Sequence, residues 1–513
     1  MSSRRRSTKP GGVASEDLSY RTRKDGTQTG DTGRVGRQRT RHSKPRDITE
    51  YDLAERYFTC PALHDVVEQL EGEGRRTGRP LMFAPIIAAV FELLITGIRS
   101  ERHVVLHHTQ PRVWQWYCDA VRASFPDQPH RWLPDTPPTR TQFRYWRATR
   151  MTSDDALDLI AEAATGIADT VAITIGIGGH FRDDVSHPRT CQVYAGDATY
   201  MRAFYNTPAD EAIDRETGEI RTRRFDPDAL RIQQDRGYPG YKVTHADART
   251  PHTREQVIFG VHVSPGQHGS DATVYTDMVL AHHGRVPGMR VADYDGALYP
   301  TDIDRFLTAG IIPINHPQRT SKGEKVRLII GEHNFTTTDG TKTPMVITAV
   351  DGTPCIMIAT AEGRHEIELK RSQTKIRSNA DSTFTVGGWW SIPDQPLVPR
   401  HLRHAKAWIR HNSTELEIAR KKPRTRALRP IPSTDPDFAA LYGVRNDTES
   451  KHHIMKSVLP NKRLNVVGLN RVRLRMHAWQ LGLTLGAALA WHTRTGGDIS
   501  HLFAQPPPLA DAA

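Results

Sequence analysis

The chain has few cysteines and no pattern of closely spaced metal ligands. Its 513 residues include four cysteines, none of which forms a CxxC pair: Cys60, Cys118, Cys191 and Cys355. Zinc sites and disulfide frameworks depend on closely or regularly spaced thiols, so neither is expected. Among the histidines, three doublets lack a convincing set of further ligands, and we interpret them as surface or core residues: His107-His108, His282-His283 and His452-His453.

A long hydrophobic run is also missing. The most apolar stretch, residues 81–98, contains Pro85 and Glu92, whereas a membrane-spanning helix needs about 20 predominantly apolar residues. We therefore expect a buried helix there. The N-terminus is rich in arginine but lacks the apolar core and small-residue cleavage site of a secretory signal. These absences predict a cytoplasmic protein without a membrane partner.

Acidic residues are scarce at the start of the chain. The net charge is +12, and residues 1–46 contain 13 Lys and Arg against 4 Asp and Glu. This segment is rich in Gly, Ser and Thr and poor in apolar side chains, which predicts a disordered basic arm over residues 1–47. Such an arm could contribute salt-dependent, sequence-independent affinity for DNA. A purely solubilising tail is the alternative.

Near the C-terminus, four residues fall on one stripe if residues 442–456 form a helix. At 100° per residue, Arg445 lies about 60° from Tyr442 around the helix axis. Glu449 and Lys456 lie about 20° and about 40° from Tyr442 in the same direction. The stripe places the Glu449 carboxylate beside Arg445 and Lys456, whose positive charges are compatible with binding DNA. A solvated helical face with one ion pair is the alternative.

Two aspartates lie in predicted strands upstream. Asp197 interrupts residues 190–205, a segment rich in strand formers, and an Asp inside a strand is unfavourable unless something uses it. Asp293 ends the short apolar strand predicted over residues 288–293. Asp295 is the reserve candidate for this second position.

The order of the predicted elements indicates an α/β fold. The elements after the Asp197 strand are strands 240–245 and 255–263, helix 272–283, the Asp293 strand, helix 302–309 and strand 310–315. Three antiparallel strands followed by alternating helices and strands have the order of a ribonuclease H-like core with a mixed sheet. In that fold the first strand lies beside a later parallel strand, so Asp197 and Asp293 can meet. A late helix then brings Glu449 to them.

Three carboxylates suit phosphodiester chemistry. Hydrolysis and strand transfer need an activated nucleophilic oxygen and a stabilised leaving oxygen, and two divalent cations about 3.5 to 4 Å apart supply both. Mg²⁺ prefers hard oxygen ligands. We therefore predict that Asp197, Asp293 and Glu449 are catalytic and hold two Mg²⁺ ions, for which Mn²⁺ could substitute.

The spacing of Tyr442, Arg445, Glu449 and Lys456 resembles the Tyr-Arg-Glu-Lys motif of DDE transposases from bacterial insertion sequences. The resemblance implies a transposase that binds terminal repeats and carries out Mg²⁺-dependent cleavage and strand transfer. Its partners would be double-stranded DNA, both transposon ends and target, and a second copy of the chain in a homodimer on DNA. Tyr442, Arg445 and Lys456 would hold DNA phosphates. A location at the bacterial nucleoid follows.

The resemblance spans residues 78–491 and departs from the common pattern in two places. Tyr294 and Asp295 occupy positions where many relatives carry Arg and Gly before a Tyr, so the choice between Asp293 and Asp295 stays open. The long basic arm is also unusual. Two rival interpretations are a domesticated DNA-binding protein that keeps the fold without cutting, and a nuclease that cuts DNA but does not join it. Inverted repeats flanking the gene would distinguish them.

Turn signals and composition complete a domain plan. Short strands separated by Asp-Gly turns predict a β-rich insertion, which in the resembled family contacts the transposon end. The plan is a disordered basic arm 1–47, an N-terminal helical DNA-binding region 48–185, the first part of the ribonuclease H-like core 186–318, a β-rich insertion 319–400, a basic segment and C-terminal helices that complete the core 401–495, and a tail 496–513.

Two segments combine arginine with aromatic residues. Residues 139–150 could form a DNA-recognition helix, or an amphipathic helix with Phe143 and Trp146 packed inward. Next to the basic residues 400–429, three tryptophans could stack on a distorted or flipped base, or belong to the core: Trp389, Trp390 and Trp408.

Deleting residues 1–46 should weaken DNA binding uniformly across sequences and flatten its dependence on salt, because the deleted segment carries nine surplus positive charges. Preference for the terminal repeat should survive, since base readout is expected in the folded regions. Binding titrations at several salt concentrations, with repeat and random DNA, measure both quantities. Lost discrimination at an unchanged salt slope would mean that the arm reads sequence.

Overall fold

A computed structural model describes the chain from residue 49 to residue 503 with several gaps. The described residues are 49–73, 83–97, 100–179, 185–206, 216–219, 225–232, 237–251, 255–266, 270–361, 363–457, 459 and 462–503. The predicted basic arm, the start of the resemblance at residue 78 and residues 504–513 of the predicted tail lie outside these ranges.

The N-terminal part of the described chain is helical. Its helices are α1 Glu50–Phe58, α2 Pro61–Glu73, α3 Phe83–Gly97, α4 Glu101–His108, α5 Pro111–Ser124, α6 Arg140–Arg150 and α7 Asp154–Thr174. Capping boxes begin α1 and α6, where Thr49 and Thr139 accept from the third helical N–H. Most side chains of α3 are buried. Within the described ranges, no helix is both long and apolar enough to cross a membrane.

Helix α6 packs its aromatic residues inward. Phe143 and Trp146 are buried, while the Nε atoms of Arg140 and Arg144 lie 2.7 and 2.6 Å from the Glu101 carboxylate at the start of α4. This arrangement matches the amphipathic alternative for residues 139–150. All four arginines of this helix are engaged in ion pairs within the chain, since Arg147 and Arg150 also have carboxylate partners.

A first sheet follows, with helices between its later strands. The strands are β1 Val193–Arg202, β2 Leu230–Ile232, β3 Tyr238–Arg249, β4 Gln256–Pro265, β5 Val291–Asp293 and β6 Ile312–Ile314, with α8 Asp271–His282 before β5 and α9 Pro300–Thr308 before β6. The spatial order is β4, β3, β1, β5, β6, and the short β2, which was not predicted, also pairs with β3. Strands β1, β3 and β4 pair antiparallel. Strands β1, β5 and β6 run parallel.

A second sheet of seven strands lies in the region predicted as the insertion. Its strands are β7 Arg327–Thr336, β8 Lys342–Val350, β9 Thr353–Thr360, β10 Gly363–Glu368, β11 Lys370–Ser378, β12 Phe384–Ser391 and β13 Lys406–Arg410. Strand β13 lies between β7 and β12, so the second sheet extends past residue 400, where the predicted insertion ends. The strand β13 was not predicted, because basic residues at its two ends gave the whole segment a basic composition. Along the strand, buried and more exposed residues alternate, and Ala407 and Ile409 are the buried ones. The described chain is thus of mixed α/β class, as predicted.

The remaining helices are α10 Glu415–Ala419, α11 Phe438–Tyr442, α12 Asn446–Ser457 and α13 Leu469–Thr495. Helices α11, α12 and α13 contribute residues to apolar clusters on one face of the first sheet. On this face, which we call the Ala195 face, Ala195 belongs to one apolar cluster with Leu441 and Val444. On the opposite face, Tyr294 of the β5 end stacks on Tyr275 of α8 with ring centroids 4.6 Å apart. Helices therefore exclude water from both faces of the central strands.

A buried ion pair ties α3 to α13. The Nε atom of Arg475 lies 3.0 Å from Glu92, and both side chains are almost inaccessible to solvent. Arg147 of α6 approaches the other Glu92 oxygen at 3.4 Å. Because buried charges are costly unless they are paired, this cluster makes the packing of three helices interdependent.

Arg475→Met should destabilise the protein by about 3 kcal/mol, because it leaves Glu92 buried with a more distant partner. Arg473→Met, two residues earlier, removes ion pairs to exposed carboxylates and should cost less than about 1 kcal/mol. Denaturant unfolding of the full chain measures both changes. The double variant Arg475→Met/Glu92→Leu should recover most of the loss, and equal losses for the two single variants would contradict this assignment.

Candidate metal centre

Asp197 and Asp293 project from the Ala195 face of neighbouring strands. Ala195 of β1 pairs with Asp293 of β5 in parallel register, and Asp197 is two residues further along β1. Residues two apart share a strand face, so both carboxylates leave the same face with Cα atoms roughly 8 Å apart. The structure thus brings together two of the three predicted ligands.

The Asp293 carboxylate is buried and makes no hydrogen bond of good geometry to the described residues. Its side chain is inaccessible to solvent, and neither oxygen has a partner in hydrogen-bonding geometry within the described residues. Burial raises the pKa of Asp293 well above its ordinary value, and the nearby Arg445 cation and backbone N–H oppose this only in part. Since an unpaired buried carboxylate is costly, we interpret its oxygens as positions for a cation.

The other two aspartates differ in their surroundings. Asp197 Oδ1 accepts from the Ala198 N–H at 2.9 Å. Burial raises the pKa of Asp197, and Arg445 and the Ala198 N–H partly counter it. Asp295 lies in the turn after β5, where its Oδ1 accepts from the Ala297 N–H at 2.8 Å. The reserve residue therefore has a structural partner that Asp293 lacks.

The predicted stripe is not carried by one regular helix. Helix α11 ends at Tyr442, a 3-10 turn follows over Gly443–Arg445, and α12 carries Glu449 and Lys456. The prediction of a continuous α-helix over residues 442–456 is therefore wrong at this turn. A 3-10 turn has about three residues per turn, so it rotates the later side chains relative to Tyr442. Burial raises the pKa of Tyr442, and the positive charge of Arg445 partly counters this rise.

The Arg445 guanidinium lies between two of the carboxylates. Nη2 is 3.8 Å from Asp197 Oδ1, and Nη1 is 3.9 Å from Glu449 Oε1, whose side chain is 62% exposed. Arg445 therefore supplies positive charge to the carboxylates. In the part of the chain that the structure describes, no three His, Cys, Asp or Glu side chains converge as a ready metal site.

His452 is a site residue that the sequence analysis missed. Its Nδ1 lies 3.6 Å from Asp197 Oδ2, and its Nε2 is hydrogen-bonded at 3.2 Å to Nδ1 of His245 on β3. The available signal was the doublet His452-His453, three residues after Glu449. The doublet alone could not indicate what His452 contacts, because its partner His245 lies on a strand 207 residues earlier in the chain.

A buried charged pair lies behind His452. Asp247 of β3 contacts Lys451 Nζ at 2.6 Å and His245 Nε2 at 3.0 Å, and all three side chains are almost inaccessible. Burial would raise the pKa of Asp247, but Lys451 and His245 outweigh it, so this pKa is lowered. Burial lowers the pKa of His452 to about 2. His452 is therefore neutral and Asp247 ionised near neutral pH.

The three predicted ligands do not surround a common point, because no three His, Cys, Asp or Glu side chains of the described residues converge as a metal site. The Asp293 oxygens lack a hydrogen bond within the described residues, Asp197 is on the same face, and Glu449 lies at the exposed rim. Asp197, Asp293 and Glu449 are the residues that would hold Mg²⁺ or Mn²⁺, both of which accept carboxylate ligands.

The second sheet presents a pair of tryptophans. Trp389 and Trp408 are paired across β12 and β13, with ring centroids 5.7 Å apart. Arg377 lies 4.4 Å over the Trp408 ring. Gly387 makes room for that ring, because a Cβ there would lie 2.3 Å from it. Trp390, in contrast, is a core residue.

A cleft of about 650 Å³ lies near the end of β5. Its lining residues are Gly296, His316, Pro317, Gln318, Arg319 and Asp351. The His316 ring packs against Tyr442, with centroids 5.1 Å apart, and Gly296 follows Asp295 in the chain. The cleft therefore borders the candidate metal centre.

No family model matches this chain, and no curated protein matches it. Function is therefore inferred from the motif and from the geometry of the carboxylates.

Asp293→Asn should stabilise the metal-free protein at neutral pH by about 1–3 kcal/mol, because it removes a buried carboxylate that is unfavourable whether it stays ionised or takes up a proton. Since burial raises the pKa of Asp293, the contribution of this carboxyl group to stability is fully present below its unfolded pKa of about 4 and is lost as pH rises through the raised pKa. The gain should thus vanish in acid. Unfolding in EDTA at several pH values measures it.

The exposed Asp127 offers a control, because Asp127→Asn should leave stability unchanged. Adding Mg²⁺ should stabilise the native protein and not Asp293→Asn. A variant that is less stable than the native protein at neutral pH without metal would show that the Asp293 charge has a partner.

Proposed function

We propose that the chain is a DDE transposase of the kind carried by bacterial insertion sequences, with a ribonuclease H-like core. The order β4, β3, β1, β5, β6, in which antiparallel strands adjoin two parallel ones, supports this core. The observation that carries the proposal is the buried, unpartnered carboxylate of Asp293 beside Asp197. Both lie close to the segment that carries Arg445 and Glu449.

Asp197, Asp293 and Glu449 would hold divalent cations, which when bound activate the attacking oxygen and stabilise the leaving oxygen of a phosphodiester. Burial of Asp293 strengthens its attraction for positive charge, because the local dielectric constant is low. The Ala198 N–H orients Asp197. Arg445, once released from the carboxylates, can bind a DNA phosphate through two parallel N–H groups.

The surfaces around the site suit DNA. Lys375, Arg377 and Arg410 are exposed on β11 and β13, near the half-buried Trp389 and Trp408. Basic side chains bind phosphates, and aromatic rings can stack on exposed bases. We propose that this face of the second sheet contacts the transposon end.

Cut-and-paste transposition must hold two DNA ends together. Each chain carries one set of the three carboxylates, so we propose a homodimer on DNA that acts on transposon ends and target. The place of action would be the bacterial cytoplasm, at the nucleoid.

Glu449→Gln should keep binding to terminal-repeat DNA but lose Mg²⁺-dependent cleavage by at least roughly a hundredfold, because it removes a ligand charge with little change of shape. Cleavage of end-labelled repeat DNA and a mobility-shift titration measure the two effects. Glu415→Gln, which changes an exposed residue of α10, should leave both unchanged.

The same assays distinguish the rival functions. Native-rate cleavage by Glu449→Gln would remove Glu449 from the site. Cleavage by the native protein without joining of the cut ends to target DNA would indicate a nuclease. Specific binding without any cleavage would indicate a domesticated DNA-binding protein.

A further inference from the structure

An arginine of the second sheet is buried against the segment that leads to Tyr442 and Arg445. Arg371 lies on β11, and only 3% of its side chain is exposed. Its Nε lies 2.6 Å from Asp435 Oδ2, and its Nη2 lies 2.9 Å from Asp435 Oδ1. The same Nη2 also donates to Asp437 Oδ2 at 2.7 Å. One guanidinium thus holds two carboxylates, one of them through two parallel hydrogen bonds.

The remaining nitrogen of the guanidinium reaches the chain that enters the first sheet. Nη1 of Arg371 donates to the Ser186 carbonyl and to Thr374 Oγ1 at 3.3 Å. Ser186, which precedes β1, also joins β11 directly: its Oγ accepts from the Thr374 N–H and donates to the Thr374 carbonyl, both at 3.1 Å. Every N–H group of Arg371 therefore has an acceptor. A lysine ammonium, which has three donors on one atom, could not reproduce this planar fork.

The two aspartates form the turn from which α11 starts. The Asp437 N–H donates to Asp435 Oδ1 at 3.0 Å, and the Phe438 N–H donates to the Asp435 carbonyl at 3.2 Å. Helix α11 ends at Tyr442, and the 3-10 turn that includes Arg445 follows without a break. The rings of Phe438 and Tyr442 stack with centroids 5.2 Å apart. The position of the turn therefore sets the position of Tyr442 and, directly after it, of Arg445.

Strand β11 also carries part of the surface proposed to contact DNA. Lys375 and Arg377 are exposed on the same strand as Arg371. Backbone pairing with β12 holds the strand along its length, so Arg371 and the exposed cations keep a fixed separation. Arg371 is thus the link between that surface and the segment of Tyr442 and Arg445.

We propose that Arg371 is a positioning residue, which fixes Tyr442 and Arg445 relative to the second sheet and to DNA bound on that sheet. A buried ion pair adds little net stability, because the desolvation of both partners offsets their attraction. What the fork of Arg371 supplies is one defined geometry. The proposal rests on the proposed function and deepens it, since it adds a residue far outside the predicted motif on which cleavage depends.

The first measurement uses the full-length chain without DNA. Hydrogen exchange detected by mass spectrometry reports how often residues 438–449 open, and Arg371→Met should speed exchange there at least about tenfold relative to the rest of the chain. Arg371→Lys, which keeps the charge but not the fork, should restore only part of the protection. Arg475→Met is the control, because it removes an equally buried arginine whose partner Glu92 lies on α3. It should not single out residues 438–449.

The second measurement adds terminal-repeat DNA and Mg²⁺. Arg371→Met should bind the DNA within about threefold of the native affinity but cleave it at least about tenfold more slowly, because the surface remains while the site loses its alignment. Arg475→Met, compared at equal folded fraction, should keep both quantities. If Arg371→Met does not fold, Asp437→Asn removes the charge of the partly exposed partner and provides the same comparison.

Unchanged exchange of residues 438–449 in the Arg371 or Asp437 variants would overturn the proposal, as would cleavage at the native rate. Equal acceleration of that exchange by Arg475→Met would also overturn it, because the effect would then be a general loss of stability. If the native protein does not cleave DNA while exchange responds as expected, the proposed function fails and the positioning role of Arg371 stands.

Discussion

Negative charge buried on one face of a sheet is the constraint on which the C-terminal half of this structure depends. Asp197, Asp247 and Asp293 all project from the Ala195 face, because Ala195 pairs with Asp247 on one side and with Asp293 on the other. Unpaired charges in such a place cost several kcal/mol each. The segment that covers them supplies cations, Arg445 and Lys451, and so its position is coupled to the sheet.

The carboxylates of Asp247 and Asp293 differ in how far neighbouring groups compensate their burial. Asp247 has Lys451 at 2.6 Å and is nearly inaccessible, as in a structural ion pair. Asp293 has no hydrogen-bond partner within the described residues. Proteins keep such unfavourable groups where function needs them, at a cost in stability that the surrounding packing offsets.

Sequence patterns predicted local features well and boundaries poorly. The interruption of a strand by Asp197 pointed to a residue that the structure places on β1, and the apolar run before Asp293 became β5. The helical period of residues 442–456 missed the 3-10 turn Gly443–Arg445. The strand β13 was not predicted from the basic composition of residues 400–429. It is short and has only two buried residues, so its pattern of alternating burial is weak compared with the charge of the segment.

By itself the sequence determined the kinds of element, the mixed α/β class and the candidate carboxylates, since propensity and period depend on residues a few positions apart. Tertiary structure alone decided that β13 lies between β7 and β12 in the second sheet, that Trp390 is core while Trp389 pairs with Trp408, and that His452 meets His245 across 207 positions. Such contacts depend on how distant segments pack, and no local pattern in a single sequence records that packing.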